Sequence, residues 1–247
     1  MGQIVKVRCD VMEKKLIDVS HNNGVIDWAK VKPNIDGAIL RCGYGQDLKT
    51  QDDKQFMRNV RECERLGIPY GVYLYSYAKT ERAARGEAVH VLRLIEGRKL
   101  TFPVYFDSEE LGTEKVAKKC AIAFCKVIAG AGYTPGVYAS ESWWRSNLKG
   151  VDQWSKWVAK WSGLKPSIPG VDIWQYSDKG RVPGIKGNVD LNRCYKDFGE
   201  KRKTVIQLAK EVINGQWGNG AERKARLTAA GYDYDSVQKQ VNEILKG

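Results

Sequence analysis

The sequence has few of the residues that build metal sites, and it has no long apolar run. Its 247 residues include only two histidines, and its six cysteines form no Cys-x-x-Cys pair. Because zinc sites are usually built from closely spaced cysteines and histidines, we expect neither a metal nor another cofactor. No stretch approaches the roughly 18 apolar residues that a membrane-spanning helix needs. We therefore expect no stable association with a membrane.

The N-terminal segment, residues 1–15, lacks the apolar run of a secretory signal. This absence predicts synthesis in a cytoplasm, where cysteines stay reduced. A chain of this length also buries enough apolar surface to fold without disulfides.

The net charge of the chain is strongly positive, at +12, with a pI of about 9.3. Proteins of this kind attract polyanions, which include nucleic acid, anionic lipid and cell walls that carry teichoic acid. The basic residues are spread along the whole chain without a long run, so a solvated surface explains them equally well. Charge alone therefore selects no partner.

Short β-rich segments alternate with helical patterns through most of the chain. Amphipathic helices are predicted over residues 52–66 and 113–130, and alternation of this kind is typical of parallel strands joined by crossovers. After residue 150 the spacers become too short for helices. We therefore predict an α/β fold, an incomplete TIM-like barrel of five β/α units followed by three strands. The predicted strands are 16–19, 37–41, 70–75, 103–106, 136–139, 157–160, 172–176 and 189–191.

From about residue 200 onward the pattern is helical only. Apolar residues at helical spacing predict a small all-α domain of three helices. Capping boxes pair Asn219 with Glu222 and Asp235 with Gln238, and Gly231 predicts a helix end. The predicted domains are a barrel over 1–199, a linker over 200–203 and a helical domain over 204–247.

Four acidic residues stand at the ends of predicted strands: Asp18, Asp107, Glu109 and Asp190. In an α/β barrel, the C-terminal ends of the strands form the active site. Taken alone, each residue also fits a structural role, such as capping a turn or pairing with Arg193. Acidic residues are uncommon in strands, so three strand ends of this kind together favour an active site.

The spacing of Asp107 and Glu109 indicates a particular chemistry. They are separated by one residue, so an extended strand points both side chains the same way. Neighbouring carboxylates resist simultaneous ionisation, which raises the pKa of one of them. A protonated carboxyl beside an ionised one is the pair that acid-assisted cleavage of a glycosidic bond requires.

Aromatic residues at the predicted strand ends suit the apolar faces of pyranose rings. We predict substrate contacts from five residues at these ends: Tyr73, Tyr75, Tyr138, Trp174 and Gln175. Trp154, Trp157 and Trp161 are instead predicted to pack, as most barrel tryptophans do.

Six ordered motifs between residues 15 and 198 resemble those of the glycoside hydrolase family 25 lysozymes. They are LIDVSHNNGVIDW, GAILRCGYG, IPYGVYLYSYA, PVYFDSEE, DIWQYS and GNVDLNR. The resemblance implies a flattened barrel with N-acetylmuramidase activity, which cleaves the β-1,4 bond after N-acetylmuramic acid. It also implies that Glu109 is the general acid/base, that Asp107 orients or stabilises, and that Asp18 and Asp190 complete an acidic floor. The family more often has Tyr-Asp-x-Glu where this chain has FDSE at 106–109, which leaves both carboxylates in place.

The tail, residues 212–245, resembles the helical cell-wall-binding repeat at the C-termini of certain phage lysins. INGQWGNG at 213–220 and AGY at 230–232 carry most of the match. The resemblance implies wall binding through Trp217, Arg223 and Tyr232. A single copy predicts modest affinity unless the protein also forms a weak homo-oligomer. A bundle that only packs on the barrel is the alternative, and Trp217 argues against it because a turn between glycines offers an aromatic ring little core.

Taken together, these observations predict an endolysin that has peptidoglycan, and no nucleic acid, as its partner. We expect it to be made in a host cytoplasm and released through a holin-type pore. A chitinase-like or endo-N-acetylglucosaminidase barrel is one alternative, but its longer Asp-rich run is absent from VYFDSEE. A wall-binding protein with an inactive barrel is the other, and the presence of all four carboxylates speaks against it.

Overall fold

The computed structural model describes residues 13–199, 205–230 and 232–246. The chain divides into two compact units between Phe198 and Gly199. The predicted linker, 200–203, and the predicted helix end at Gly231 lie outside the described residues.

The first unit is a closed barrel of eight strands arranged in chain order. Strands β1 to β7 run parallel, whereas β8 pairs antiparallel with both β7 and β1. Each predicted strand overlaps one observed strand. The strands are β1 (Lys14–Val19), β2 (Gly37–Tyr44), β3 (Tyr70–Tyr75), β4 (Val104–Asp107), β5 (Pro135–Ser140), β6 (Ser155–Ala159), β7 (Ile173–Gly180) and β8 (Val189–Cys194).

Helices follow the first five strands and surround the barrel. They are α1 (Trp28–Val31), α2 (Phe56–Leu66), α3 (Glu81–Leu94), α4 (Ala117–Gly130) and α5 (Glu141–Asn147). Residues 160–172 and 181–188, all of them described, contain no helix. The predicted order of five β/α units followed by three strands is therefore confirmed.

Alternation along the strands divides the side chains between two cores. On β1, Leu16 points into the barrel, whereas Ile17 packs against the helices. Inside the barrel, the ring of Trp157 has its centroid 5.1 Å from that of Tyr105 and 4.4 Å from that of Tyr138. This aromatic layer fills the interior, and the prediction that Trp157 packs is confirmed.

Membrane-spanning helices, metal sites and the state of the cysteines can be described for the described residues alone. None of the described helices is long and apolar enough to cross a membrane. Within the same ranges, no group of three or more histidine, cysteine or acidic side chains is arranged to hold a metal ion. Cys9 lies outside the described residues, and the remaining cysteines are buried free thiols: Cys42, Cys63, Cys120, Cys125 and Cys194.

The second unit consists of α6 (Val205–Ile213), α7 (Gly220–Ala229) and α8 (Tyr234–Lys246). Their apolar faces meet in a small core of Leu208, Ala209, Val212, Leu227, Val237 and Val241.

The predicted capping boxes of this unit are wrong in detail. Asn219 occupies the N-cap position of α7, but its side chain accepts a hydrogen bond from Arg223 instead of capping the helix. At the start of α8, it is Asp233 that accepts a hydrogen bond from the backbone N–H of Ser236. Because Asp233 rather than Asp235 takes this capping role, α8 begins at Tyr234, which is earlier than predicted.

Candidate active site

A cavity of about 390 Å³ opens where the parallel strands end. We call it the acidic cleft. The structure brings eight of the predicted site residues to its lining: Asp18, Asp107, Glu109, Asp190, Tyr73, Tyr75, Tyr138 and Gln175. The predicted carboxylates therefore meet in one site.

Asp18, on β1, is the most extensively hydrogen-bonded carboxylate of the cleft. Its Oδ2 accepts hydrogen bonds from Gln175 Nε2 at 3.0 Å and from Asn192 Nδ2 at 2.7 Å. It also shares a hydrogen bond with the carboxyl of Asp190, which lies opposite it in the register of β1 and β8. Burial raises the pKa of Asp18 to about 6, although these hydrogen bonds oppose the rise.

Asp190 reaches the cleft for a reason that the sequence analysis did not give. It was predicted at the C-terminal end of a strand, but it lies near the start of β8. Because β8 is antiparallel, its N-terminal end lies where the parallel strands finish. Burial and the charge of Asp18 raise the pKa of Asp190 to about 8. Asn192, two residues further along the same strand, was missed although period-two spacing places it on the same face.

Asp107 is the last residue of β4 and lies between Tyr75 of β3 and Tyr138 of β5 in the strand register. Its side chain is buried, and its Oδ1 has no hydrogen-bond partner. Burial, followed by the charges of Glu109 and Asp18, holds the pKa of Asp107 well above its ordinary value. A buried acceptor without a partner is costly in an empty site, and a ligand donor can satisfy it.

Glu109 lies beyond β4 rather than on it, so the prediction that it shares a strand with Asp107 is wrong. Both residues nevertheless line the cleft, Glu109 in a more solvent-exposed position. Partial desolvation, then the charges of Asp190 and Glu110, raise the pKa of Glu109. Carboxyls with raised pKa values beside other carboxylates are suited to general acid–base work.

Trp174, which was predicted to contact substrate, is not among the residues that line the acidic cleft. Its neighbours Ile173 and Gln175 face the barrel interior, so alternation turns Trp174 outward. Its Nε1 donates to the carbonyl oxygen of Lys160 at 2.9 Å, and the guanidinium of Arg193 lies over its ring.

Trp161, in contrast, was not predicted as a site residue but lies in the cleft. It was predicted to pack, but 59% of its surface is exposed, and it lines the acidic cleft. Its Nε1 donates to Gln175 Oε1 at 3.0 Å, and the hydroxyl of Tyr138 donates to the same oxygen at 2.9 Å. Trp161 lies just beyond the end of β6, where a side chain leaves the core. Trp154 packs against the core as predicted.

Arg41 was also missed. It lies on β2 and lines the cleft, and its positive charge opposes part of the rise in the pKa of the buried Asp107. Its Nε donates to Asp53 Oδ2 at 2.9 Å, and its Nη2 lies against His21 Nδ1. A charged residue inside the apolar run GAILRCGYG is the sequence feature that marks it.

In the second unit, the three predicted wall-binding residues also make internal contacts. Trp217 packs against the helical core, and its Nε1 donates to Glu211 Oε2 at 2.9 Å. Its ring meets that of Tyr232 edge-on at 6.0 Å. Arg223 donates to Gly218 O and to Gln238 Oε1. The argument that the turn offers Trp217 little core is therefore wrong.

A barrel whose carboxylates have raised pKa values within an aromatic-lined cleft is the architecture of an α/β-barrel glycoside hydrolase. The family Glycosyl hydrolases family 25 matches residues 17–185, and the CW_7 repeat matches residues 207–245. The chain therefore belongs to glycosyl hydrolase family 25 and carries a CW_7 repeat in its second unit.

Similar proteins include lysozymes and autolysins. The lysozyme of Streptococcus phage Cp-7 is 33% identical over 195 residues, which are 71% of this chain and 56% of that protein. The uncharacterized protein YegX of Escherichia coli O157:H7 is 30% identical over 208 residues, 79% of this chain and 74% of that protein. The modular autolysin LytC from Streptococcus pneumoniae matches with a TM-score of 0.65 and 32% identity, over 74% of this chain and 47% of that chain. The chain thus spans about half the length of the phage lysozyme and of LytC.

We expect Asp190→Asn to remove a pH-dependent loss of stability. The raised pKa of about 8 means that the native state keeps a proton that the unfolded chain releases near pH 4, so stability falls as the pH rises between these values. Urea denaturation at pH 4 to 8 should show a smaller fall in the free energy of unfolding for the variant. Glu96→Gln, at an exposed position, should follow the wild type. Equal slopes for all three proteins would contradict the shift.

Proposed function

We propose that the protein is an endolysin that hydrolyses the β-1,4 bond between N-acetylmuramic acid and N-acetylglucosamine in bacterial peptidoglycan. The observation that carries the proposal is the pairing of buried Asp107, with its unpartnered Oδ1, and solvent-accessible Glu109 in one cleft. The similarity to a phage lysozyme supports the substrate class, as does LytC, which has been solved with a synthetic peptidoglycan ligand.

The chemistry that fits this pair is substrate-assisted hydrolysis with retention. The acetamido N–H of a bound sugar donates to Asp107 Oδ1 and, together with the charge of Arg41, favours the ionised form of that carboxyl. With Asp107 ionised, Glu109 is the carboxyl of the pair that stays protonated. It passes this proton to the leaving oxygen while the acetamido carbonyl oxygen attacks the anomeric carbon and the glycosidic bond breaks. Water, deprotonated by Glu109, then attacks the anomeric carbon from the face that the leaving group has left. This attack opens the ring that the acetamido group formed, so the configuration is retained.

The two alternatives make different demands on the cleft. A chitinase-like or endo-N-acetylglucosaminidase barrel leaves its new reducing end on N-acetylglucosamine, so product analysis distinguishes it. An inactive wall-binding protein has no use for desolvated carboxylates, which cost stability at neutral pH. Release through a holin-type pore and weak self-association stay predictions.

Digestion of purified peptidoglycan should yield new reducing ends on N-acetylmuramic acid, identified after borohydride reduction by mass spectrometry. Glu109→Gln should lower kcat by roughly 10²–10⁴-fold with little effect on KM, because only a proton donor is lost. Glu96→Gln is the matched control, since Glu96 is exposed and is not among the residues that line the cleft. Reduced N-acetylglucosaminitol or free stem-peptide termini as the products would refute the muramidase proposal.

Proton NMR of the first-formed product should show the retained β-anomer. Asp107→Asn should slow the reaction severely, because a neutral amide stabilises the developing positive charge of the acetamido group poorly. An α-anomer as the first product would indicate that water attacks directly. A glycosyl–aspartate trapped on Asp18 or Asp190 would indicate a covalent route, and either result would leave the bond specificity standing.

We propose that the second unit holds the wall, and expect the full chain to sediment with walls more strongly than a chain that ends at residue 199. Trp217→Ala should weaken sedimentation about tenfold, the usual effect of removing a central aromatic contact. Ile206→Ala, at an exposed position of α6, is the control for apolar truncation. Because Trp217 also packs, circular dichroism must first establish that the variant stays folded. Equal sedimentation of the full chain and the shortened chain would contradict wall binding by the second unit.

A further inference from the structure

A second cavity, of about 300 Å³, adjoins the acidic cleft. We call it the side cavity, and it is lined by His21, Asn22, Arg41, Tyr44, Tyr75 and Tyr77. Asn22, Arg41 and Tyr75 line the acidic cleft as well. Because the two spaces share these residues, a substituent on a sugar in the cleft can extend into the side cavity.

Charge is distributed unevenly between the two spaces. The acidic cleft is lined by five carboxylates: Asp18, Asp107, Glu109, Asp178 and Asp190. Among the described residues, the lining of the side cavity includes no carboxylate, and it includes the guanidinium of Arg41. A negative group on a bound sugar is therefore placed more favourably beside Arg41 than beside the carboxyls of the cleft.

Arg41 is held in place by groups that leave part of its guanidinium free to bind. Its Nε donates to Asp53 Oδ2, and its Nη2 lies against His21 Nδ1. Asp53 has no exposed side-chain surface and also accepts from the backbone N–H groups of His21 and Gln55. Among the hydrogen bonds of the described residues, none uses Arg41 Nη1. A fixed guanidinium with an unused N–H edge is a ready donor to a carboxylate.

The rings of three tyrosines form a large part of the side cavity. Tyr77 is 47% exposed, and its ring lies 5.2 Å from that of Tyr75 and 6.2 Å from that of Tyr44. The hydroxyls of Tyr75 and Tyr44 donate to Glu110 and to Thr50 O, so these two hydroxyls already have partners. Aromatic rings of this kind suit a short, partly apolar group that ends in a charge.

We propose that the side cavity binds the carboxylate-bearing substituent of N-acetylmuramic acid, with Arg41 Nη1 donating to the carboxylate. This assignment rests on the proposed function. The carboxylate has two sources of the same chemistry: the free lactyl group of a peptide-free sugar, or the stem peptide that extends it. Binding there orients the muramic acid ring and contributes to the choice of this sugar over N-acetylglucosamine, which has no such substituent.

The test measures KM on soluble oligosaccharides of alternating N-acetylglucosamine and N-acetylmuramic acid. Three forms are compared: free lactyl carboxylate, neutral lactyl methylamide, and lactyl amide extended by a dipeptide with a free carboxylate. Arg41→Gln and Tyr77→Ala probe the two parts of the side cavity. Arg65→Gln is the matched control, because it removes the same charge from α2, where Arg65 pairs with the nearby Glu62.

For the wild type, we expect KM for the neutral form to exceed that for the preferred charged form by roughly tenfold to a hundredfold. The charged form with the lower KM identifies the source of the carboxylate. Arg41→Gln should bring the KM ratio of neutral to charged forms close to one. Arg41→Gln also changes kcat through its effect on Asp107, but this change is the same for all three forms and does not alter the KM ratio. Tyr77→Ala should raise KM for the charged forms, and Arg65→Gln should keep the wild-type ratio.

A wild-type KM that is equal for all three forms would overturn the assignment, as would a ratio that survives Arg41→Gln. The proposed function fails in a different way. An inactive protein would cut none of the three oligosaccharides, and an endo-N-acetylglucosaminidase would leave the new reducing ends on N-acetylglucosamine.

Discussion

Strand β8 closes the barrel by pairing antiparallel with both β7 and β1, and the centre of the acidic cleft depends on this closure. It sets Asp190 opposite Asp18 and brings Asn192 to the same carboxylate. Two facing carboxyls are tolerated because one keeps a proton and amide donors satisfy the other. Burial is the main cause of the raised pKa values of Asp18 and Asp190, and the closure of the sheet adds the charge of Asp18 to the causes that raise the pKa of Asp190.

The two side-chain amides that donate to Asp18 are each oriented by donors to their own oxygen atoms. The hydroxyl of Tyr138 and the indole N–H of Trp161 donate to Gln175 Oε1, so the amide N–H of Gln175 points to Asp18. The indole of Trp157 can only donate, so it fixes Asn192 in the same way. The aromatic layer of the barrel thus orients the donors to the buried carboxylate, beyond filling space.

The cleft and the side cavity divide the recognition of a charged sugar between them. Carboxylates line the space where the glycosidic bond is proposed to break. Arg41 lies between this space and the side cavity, whose described lining residues include no acid. In the second unit, Trp217, Arg223 and Tyr232 contribute to the fold itself through their contacts. A wall-binding role for them therefore has to be measured on folded variants.

The barrel could be predicted from the sequence, because strand–helix alternation and shortened spacers are local patterns. The predicted strand ends also brought Asp18, Asp107 and Glu109 together in one predicted site. The sequence also contained the information that Trp174 and Gln175, as neighbours on a strand, cannot face the same way. The direction of β8 could not be predicted from the sequence, because hydrogen bonding between distant strands leaves no local pattern. The same holds for the exposure of Trp161, the packing of Trp217 and the meeting of Arg41 with His21 and Asp53. Each depends on which distant chain segments come to lie beside a residue, and no local sequence pattern records that.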